Sequence, residues 1–235
     1  MRVVARRSSK HYFLMKRNDK ISVLICVHSQ DELHDDLLHG ALASLANQSF
    51  GDFETIIVLD ECWEHTELVI TDFLESLSIT YWERPKKEGL AKAKNFGLQH
   101  CTGDWVAFLD ADDEYMPCKM EFQRQFLMNN PDVDVCGTLA WDRIGTHMEP
   151  SCFKPGQYER HAQIQERLSH ENIMCHGSLM IRRSALTHVG GYVTSQDMLG
   201  KEDWATWMKL MQGGFTFHNI PERLYVWTAN TSVPR

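Results

Sequence analysis

No uninterrupted apolar stretch in this chain approaches the roughly 20 residues that a membrane-spanning helix needs, so no membrane span is expected. The start, Met1-Arg2-Val3-Val4-Ala5-Arg6-Arg7, lacks the apolar centre of a secretion signal. Cysteine is present but unpatterned, with seven thiols at positions 26, 62, 101, 118, 136, 152 and 175 and no CxxC pair. An odd, scattered set fits neither a disulfide framework nor a zinc site, and predicts reduced thiols in a cytoplasmic protein. Positive charge is in deficit: the formal net charge is -8, which argues against nucleic acid or anionic membranes as general partners. Glycine is missing from Val27-His28-Ser29-Gln30-Asp31-Glu32. A phosphate-cradling turn after a first strand needs glycine there, so a dinucleotide oxidoreductase is excluded.

What is present is a generous apolar content, 43% of 235 residues, enough for one large α/β domain or two small ones. Residues 1–20 read as a basic extension (Arg6, Arg7, Lys10, Lys16, Arg17, Lys20). From 21 onward apolar runs alternate with helical stripes. Strands are predicted over 21–27, 53–59, 79–82 and 105–109. Between them, Leu33 to Leu45, Leu68 to Leu77 and Leu90 to Cys101 each put apolar residues on one helical face. A further helix runs from Pro117 to about Asn130, followed by a strand over 133–139. Such alternation implies α/β class: a mostly parallel open sheet with helices on both faces. Residues 141–170 read as loops with one short helix near 160–168. Strands are expected at 177–182, 215–220 and 223–227, and a helix carries Trp204, Trp207, Met208 and Met211. The expected organisation is one domain over 21–235, with a nucleotide-binding half (21–115) and a more irregular half (116–235) completing the cleft.

The buried run Trp105–Leu109 empties into Asp110-Ala111-Asp112-Asp113. Three carboxylates at the carboxyl edge of a sheet sit where open α/β folds hold ligands, and their mutual repulsion calls for a cation. Asp112 is then a ligand of Mn2+ or Mg2+, and Asp110 bonds a ribose or joins the metal shell, since oxygen-only donors select hard ions. The plain alternative is a helix cap or a solvated loop. Asp60-Glu61 closes the second strand at the same edge, as a turn or as acceptors for the imino N–H of a base and for ribose hydroxyls. His28 could lie against that base. Lys92, Lys94 and Asn95 share a helix that is either a solvated face or a source of cationic charge for a diphosphate. Glu202-Asp203 heads the tryptophan helix: the acids complement its dipole, or Asp203 takes a proton from an attacking hydroxyl. Trp204 could border a sugar pocket, with Glu202 beside it, and His176 and Ser178 are candidates for the acceptor side.

Together these segments resemble the family 2 glycosyltransferases of the GT-A fold, from about Lys20 to Thr231. The resemblance rests on Ile21–His28, Ile56–Glu61, Gly89–Gly97, Gly103–Asp113, Met180–Arg183 with Val189–Tyr192, and Glu202-Asp203-Trp204, in that order. It implies metal-dependent transfer of a sugar from a nucleotide-diphosphate sugar, a UDP-sugar foremost, to a carbohydrate or other hydroxyl acceptor, with inversion. By it Asp112 is the metal aspartate of the DxD motif, Asp110 neighbours ribose and metal, and Asp203 is the base. Glu61 falls at the base-reading carboxylate, Lys94 where the family usually has arginine, and His28 where an aromatic flanks the base. The second half becomes the acceptor side. Tyr225–Asn230 lacks the Arg and His of many members, leaving Asn230 or water for any additional metal ligand, and the residues to Arg235 leave no length for an acceptor-binding extension. Two alternatives stand beside this expectation: a catalytically silent nucleotide-sugar-binding module, and a sugar-nucleotide pyrophosphorylase, whose glycine-rich loop is missing.

Overall fold

Apolar side chains alternate along β1 (Ile21–Val27), sending Ile21, Val23, Ile25 and Val27 to one face of the sheet and Leu24 and Cys26 to the other. The strands β2 (Phe53–Asp60) and β4 (Trp105–Phe108) do the same, with Ile57, Leu59, Trp105 and Ala107 on the first face and Ile56, Val58, Val106 and Phe108 on the second. A period of two with both faces apolar marks strands covered on both sides. On the first face lie α1 (Glu32–Ala46), α2 (Thr66–Thr71) and α4 (Lys119–Asn129). On the second lie α3 (Leu90–His100), α5 (His161–Leu168), α6 (Arg183–His188) and α7 (Glu202–Gln212). Each large apolar side chain buried between these layers contributes roughly 1.5–3 kcal/mol.

The computed structural model describes residues 19–84, 86–151 and 156–229. Of the basic extension, only its last two residues fall within them, and Asn230 lies outside. Lys20 is not a loose end: its ammonium donates to Glu54 at 2.9 Å and to Thr102 at 2.6 Å beside the start of β1. Among the described residues no helix is long and apolar enough to cross a membrane.

The sheet order is β3 (Ile79–Arg84), β2, β1, β4, β8 (Met180–Arg182), β6 (Val135–Ile144), β9 (Phe217–Thr228), β5 (Glu114–Tyr115), with β7 (His147–Pro150) paired to β6. The first four strands are parallel, as expected. Strand β8 is antiparallel to both β4 and β6, so β6 and its parallel partner β9 again point the same way as β4. The ends of β1, β2, β4 and β9 therefore share one edge, and that edge carries the site. Helix α1 starts there on Asp31, whose side chain accepts the His34 N–H at 3.1 Å. The buried Asp35 of α1 takes hydroxyl protons from Ser29 (2.6 Å) and Thr66 (2.8 Å), tying both neighbouring loops to the helix.

The structure departs from expectation in four places, three of them in the second half. The segment expected to be loop begins with a hairpin, in which β6 turns at Gly145, φ 61°, into β7. Every residue of β7 is exposed, so no apolar alternation announces it. The two late strands are a single strand, β9. Pro221-Glu222 is absorbed as a bulge, where the partner of Thr138 is Ile220 and that of Leu139 is Arg223. A proline without an N–H is tolerated where the ladder is already broken. Finally, α6 follows β8 directly, and the helix expected as far as Leu77 ends at Thr71 in a series of turns.

Candidate active site

The acidic edge divides its three aspartates between two tasks. Asp113 is 1% exposed, and its carboxylate accepts the Thr228 N–H at 2.6 Å and the Tyr225 hydroxyl. Burial, and then the charges of Asp110 and Asp112, push its carboxyl well above the ordinary range. It fastens β9 to the end of β4 and is not available to a ligand. Gly177 packs against the same tyrosine so closely that a Cβ would lie 1.8 Å from its hydroxyl oxygen.

Asp110 and Asp112 are only partly covered at the carboxyl edge of the sheet. Burial works to raise the Asp110 carboxyl, but His176, Lys94 and Tyr225 outweigh it and hold the group below the usual carboxylate range. His176 Nδ1 lies 3.2 Å from one Asp110 oxygen and 3.5 Å from the other. The Tyr225 hydroxyl is 3.5 Å away. Asp112 is in the opposite condition: desolvation and the neighbouring Asp110 charge raise its carboxyl, with weak relief from His34 of α1. An anion raised by its neighbour, without a salt-bridge partner among the described residues, is a position for a cation.

The end of β2 is built differently from the expectation of two ligand carboxylates. Asp60 is 4% exposed, and its oxygens accept the N–H groups of Glu88 (3.4 Å) and Gly89 (3.3 Å), with Arg84 at 3.3 Å. It anchors the N-terminus of α3. Glu61 projects into solvent from a backbone with φ 60°, the one non-glycine residue in that region among those described. Such a conformation costs about 1–2 kcal/mol. His28 is likewise engaged: its Nδ1 donates to the carbonyls of Asp60 (3.0 Å) and Glu61 (2.8 Å), clipping β1 to the strained turn.

Lys94 is 4% exposed, with its ammonium 5.1 Å from the centre of the Tyr192 ring and its charge acting on Asp110; Lys92 sits in solvent, paired with Glu88 at 3.5 Å. One helix thus carries both a solvated lysine and a buried one. Asn95 is a clamp, giving its amide N–H to the Tyr192 carbonyl (2.9 Å) and accepting the Tyr192 N–H (2.7 Å). A Cβ on Gly191 would meet that amide at 2.3 Å.

At the start of α7, Asp203 accepts from Asn172 Nδ2 at 2.9 Å and from the Trp204 N–H at 2.6 Å, and is half-buried. The adjoining Glu202 has one carboxylate oxygen shut from solvent without a hydrogen-bond partner. Trp204 spends its indole N–H on the Leu168 carbonyl at 2.7 Å and packs against the second-face core, so it braces α7 on α5. Ser178 must be corrected. It has no exposed surface, donates to the Cys175 carbonyl (2.8 Å) and accepts the Thr138 N–H (3.3 Å), which puts it in the core and out of an acceptor's reach. His176, in the same turn, is nearly covered but reaches Asp110, and its Nε2 lies 3.0 Å from the Tyr192 hydroxyl. Tyr192 and Tyr225 carry the hydroxyls that organise this edge. Spacing does not signal it: Tyr225 reads as one more apolar residue in a run, and Tyr192 only as the end of the Val189–Tyr192 motif.

Among the described residues no three His, Cys, Asp or Glu side chains converge as a ready-made metal site. Magnesium-like ions take one or two carboxylates and complete their shell with water and substrate phosphates. The all-oxygen pair of Asp110 and Asp112 fits that chemistry.

Comparison with known proteins agrees with the geometry. The family description "Glycosyl transferase family 2" matches residues 22–190. The amylovoran biosynthesis glycosyltransferase AmsE of Erwinia amylovora is 27% identical over 207 residues, covering 86% of this chain and 74% of that protein. The S. aureus TarS 1–349 structure in complex with UDP shares the fold with a TM-score of 0.74 at 20% identity, over 89% of this chain and 60% of that one. Mannosyltransferase PcManGT from Pyrobaculum calidifontis, solved with GDP-Man and Mn2+, gives 0.65 at 18%, over 88% and 56%. At these identities the two structures speak to fold alone, and this chain spans less than two thirds of either.

Proposed function

The chain belongs to glycosyl transferase family 2, and from that premise we propose that it moves a sugar from a nucleotide-diphosphate sugar to a hydroxyl acceptor with inversion. The observation that carries the reading is a line of contacts across the cleft. Asp110 meets His176 at 3.2 Å, His176 meets the Tyr192 hydroxyl at 3.0 Å, and the charge of Asp203 acts on that buried phenol. These contacts support reading the donor-side carboxylates and the carboxylate assigned as base as parts of one site.

In this reading Asp203 accepts the acceptor's hydroxyl proton while that oxygen attacks the anomeric carbon from the face opposite the diphosphate. The bond from the anomeric carbon to the diphosphate oxygen breaks, and the nucleoside diphosphate leaves with the electron pair. Asn172 and the Trp204 N–H orient Asp203 for the transfer. Asp112, with Asp110, would hold Mn2+ or Mg2+, which when bound supplies charge neutralisation on the departing diphosphate. Lys94 adds fixed positive charge beside Asp110. Glu61 offers an exposed carboxylate to the base or ribose, and His28 and Asp60 hold its turn and the neighbouring helix in place. Complexes of the solved neighbours with UDP and with GDP-Man make UDP- and GDP-sugars the donors to try first.

Thermal unfolding with UDP, GDP and their sugars, with and without Mn2+, tests the proposal. A ligand at a hundredfold excess over its Kd stabilises by about 2.7 kcal/mol, readily seen as a rise in Tm. Asp112→Ala is expected to lose the Mn2+-dependent rise. Asp203→Asn is expected to keep it while losing transfer and slow donor hydrolysis. Full turnover by Asp203→Asn removes the base assignment, and binding without any turnover by wild type points to a silent module.

A further inference from the structure

The polar connection across the cleft runs through one imidazole, and its chemistry can be worked out atom by atom. His176 is 11% exposed at its side chain. Its ring is boxed by Phe108 (5.0 Å between centres), Tyr192 (5.9 Å) and Trp207 (6.0 Å, planes 23° apart). Backbone placement is equally restricted, because Gly177 next to it has no room for a Cβ against Tyr225. A carboxylate can only accept hydrogen bonds, so the nitrogen facing Asp110, Nδ1, at 3.2 Å and 3.5 Å from its two oxygens, is the one that carries hydrogen. In a neutral ring Nε2 is then an acceptor, and the group 3.0 Å away is the Tyr192 hydroxyl. A phenol is protonated at neutral pH, so at this distance its O–H is the donor that an acceptor Nε2 requires. Asn95 brackets the Tyr192 backbone from α3 with two hydrogen bonds, so the donor cannot drift.

We propose that His176 is a positioning residue: Asp110 and Tyr192 together select its Nδ1–H tautomer, and that N–H holds Asp110 in one rotamer beside Asp112. The assignment rests on the glycosyltransferase reading only in giving Asp110 a donor to serve. It moves His176 from the acceptor wall to the support of the donor side. Partners of this kind, one bond behind the carboxylates, change metal affinity by about 10- to 100-fold when removed.

Two measurements on the full chain decide it. Imidazole 15N NMR of the ligand-free protein reads the tautomer directly, with the His176 signal expected as Nδ1–H in wild type and as a mixture in Tyr192→Phe. Calorimetric titration with UDP or GDP and Mn2+ then compares two amides. His176→Asn sets its nitrogen near the Nδ1 position and is expected to bind within about threefold of wild type. His176→Gln sets it near Nε2 and is expected to bind at least about tenfold more weakly at an equal urea midpoint. An Nε2–H tautomer in wild type, or equal affinities for the two amides, overturns the proposal. A wild type that shows Nδ1–H yet binds neither nucleotide with Mn2+ counts against the donor reading and leaves the tautomer assignment standing.

Discussion

Lys119 offers the cleanest quantitative test of how this fold is balanced. Its side chain has no exposed surface, and its amine has one hydrogen-bond partner, Gln123 Oε1 at 2.7 Å, and the face of Tyr115 at 3.8 Å. Desolvation lowers its pKa from 10.5 to about 7, against slight opposing effects of Cys136 and Cys175. At about 1.36 kcal/mol per pH unit, that displacement of about 3.5 corresponds to roughly 5 kcal/mol lost from folding when the amine is charged in both states. Methionine would remove the penalty but leave Gln123 Oε1 unsatisfied, at about 1–3 kcal/mol. Lys119→Met is therefore expected to stabilise by about 2–4 kcal/mol at pH 6. The pH dependence has a definite sign. Below about pH 7 the penalty is complete. Between about 7 and 10.5 only the unfolded chain keeps the proton, so wild type gains stability with rising pH, up to about 1.4 kcal/mol per unit, and the variant lacks this gain. Urea unfolding of both proteins from pH 6 to 10 measures the difference. A Lys119→Met advantage that fails to shrink as pH rises refutes the argument, as does a less stable variant at pH 6.

Two further substitutions separate binding from architecture. Glu61→Gly relieves the φ 60° backbone and should raise stability by on the order of 1 kcal/mol in urea melts, while weakening Mn2+-dependent UDP or GDP binding through loss of the carboxylate. Asp113→Asn keeps an oxygen for the Thr228 N–H and an amide for the Tyr225 hydroxyl, so Mn2+-dependent nucleotide binding should persist within a few-fold by calorimetry, whereas Asp112→Asn should lose at least about tenfold.

The first half of the chain was legible because its physics is local. Strands covered on both faces must be apolar throughout, and the run from Trp105 to Leu109 cannot continue through three aspartates, so both the strand and its acidic end are written in order along the chain. Parallel pairing then puts Asp60, Asp110 and their neighbours at one edge without further information. Division of labour among these residues was not legible. Asp113 and Asp112 are adjacent and chemically identical, yet one is buried under Tyr225, 112 positions away, and the other faces the cleft. Asp60, His28 and Ser178 are polar residues at promising positions that contacts distant in sequence turn into anchors.

Sequence alone thus determined the class of fold, the sheet edge that carries the acids and the family to which the chain belongs, since all three depend on periodicity and on short motifs in order. Tertiary structure decided which carboxylates stay open, that His176 bridges Asp110 and Tyr192, and that Lys119 is buried without a salt-bridge partner among the described residues. Burial and hydrogen-bond partnership belong to pairs of residues brought together by folding, and no pattern along a single strand or helix encodes them.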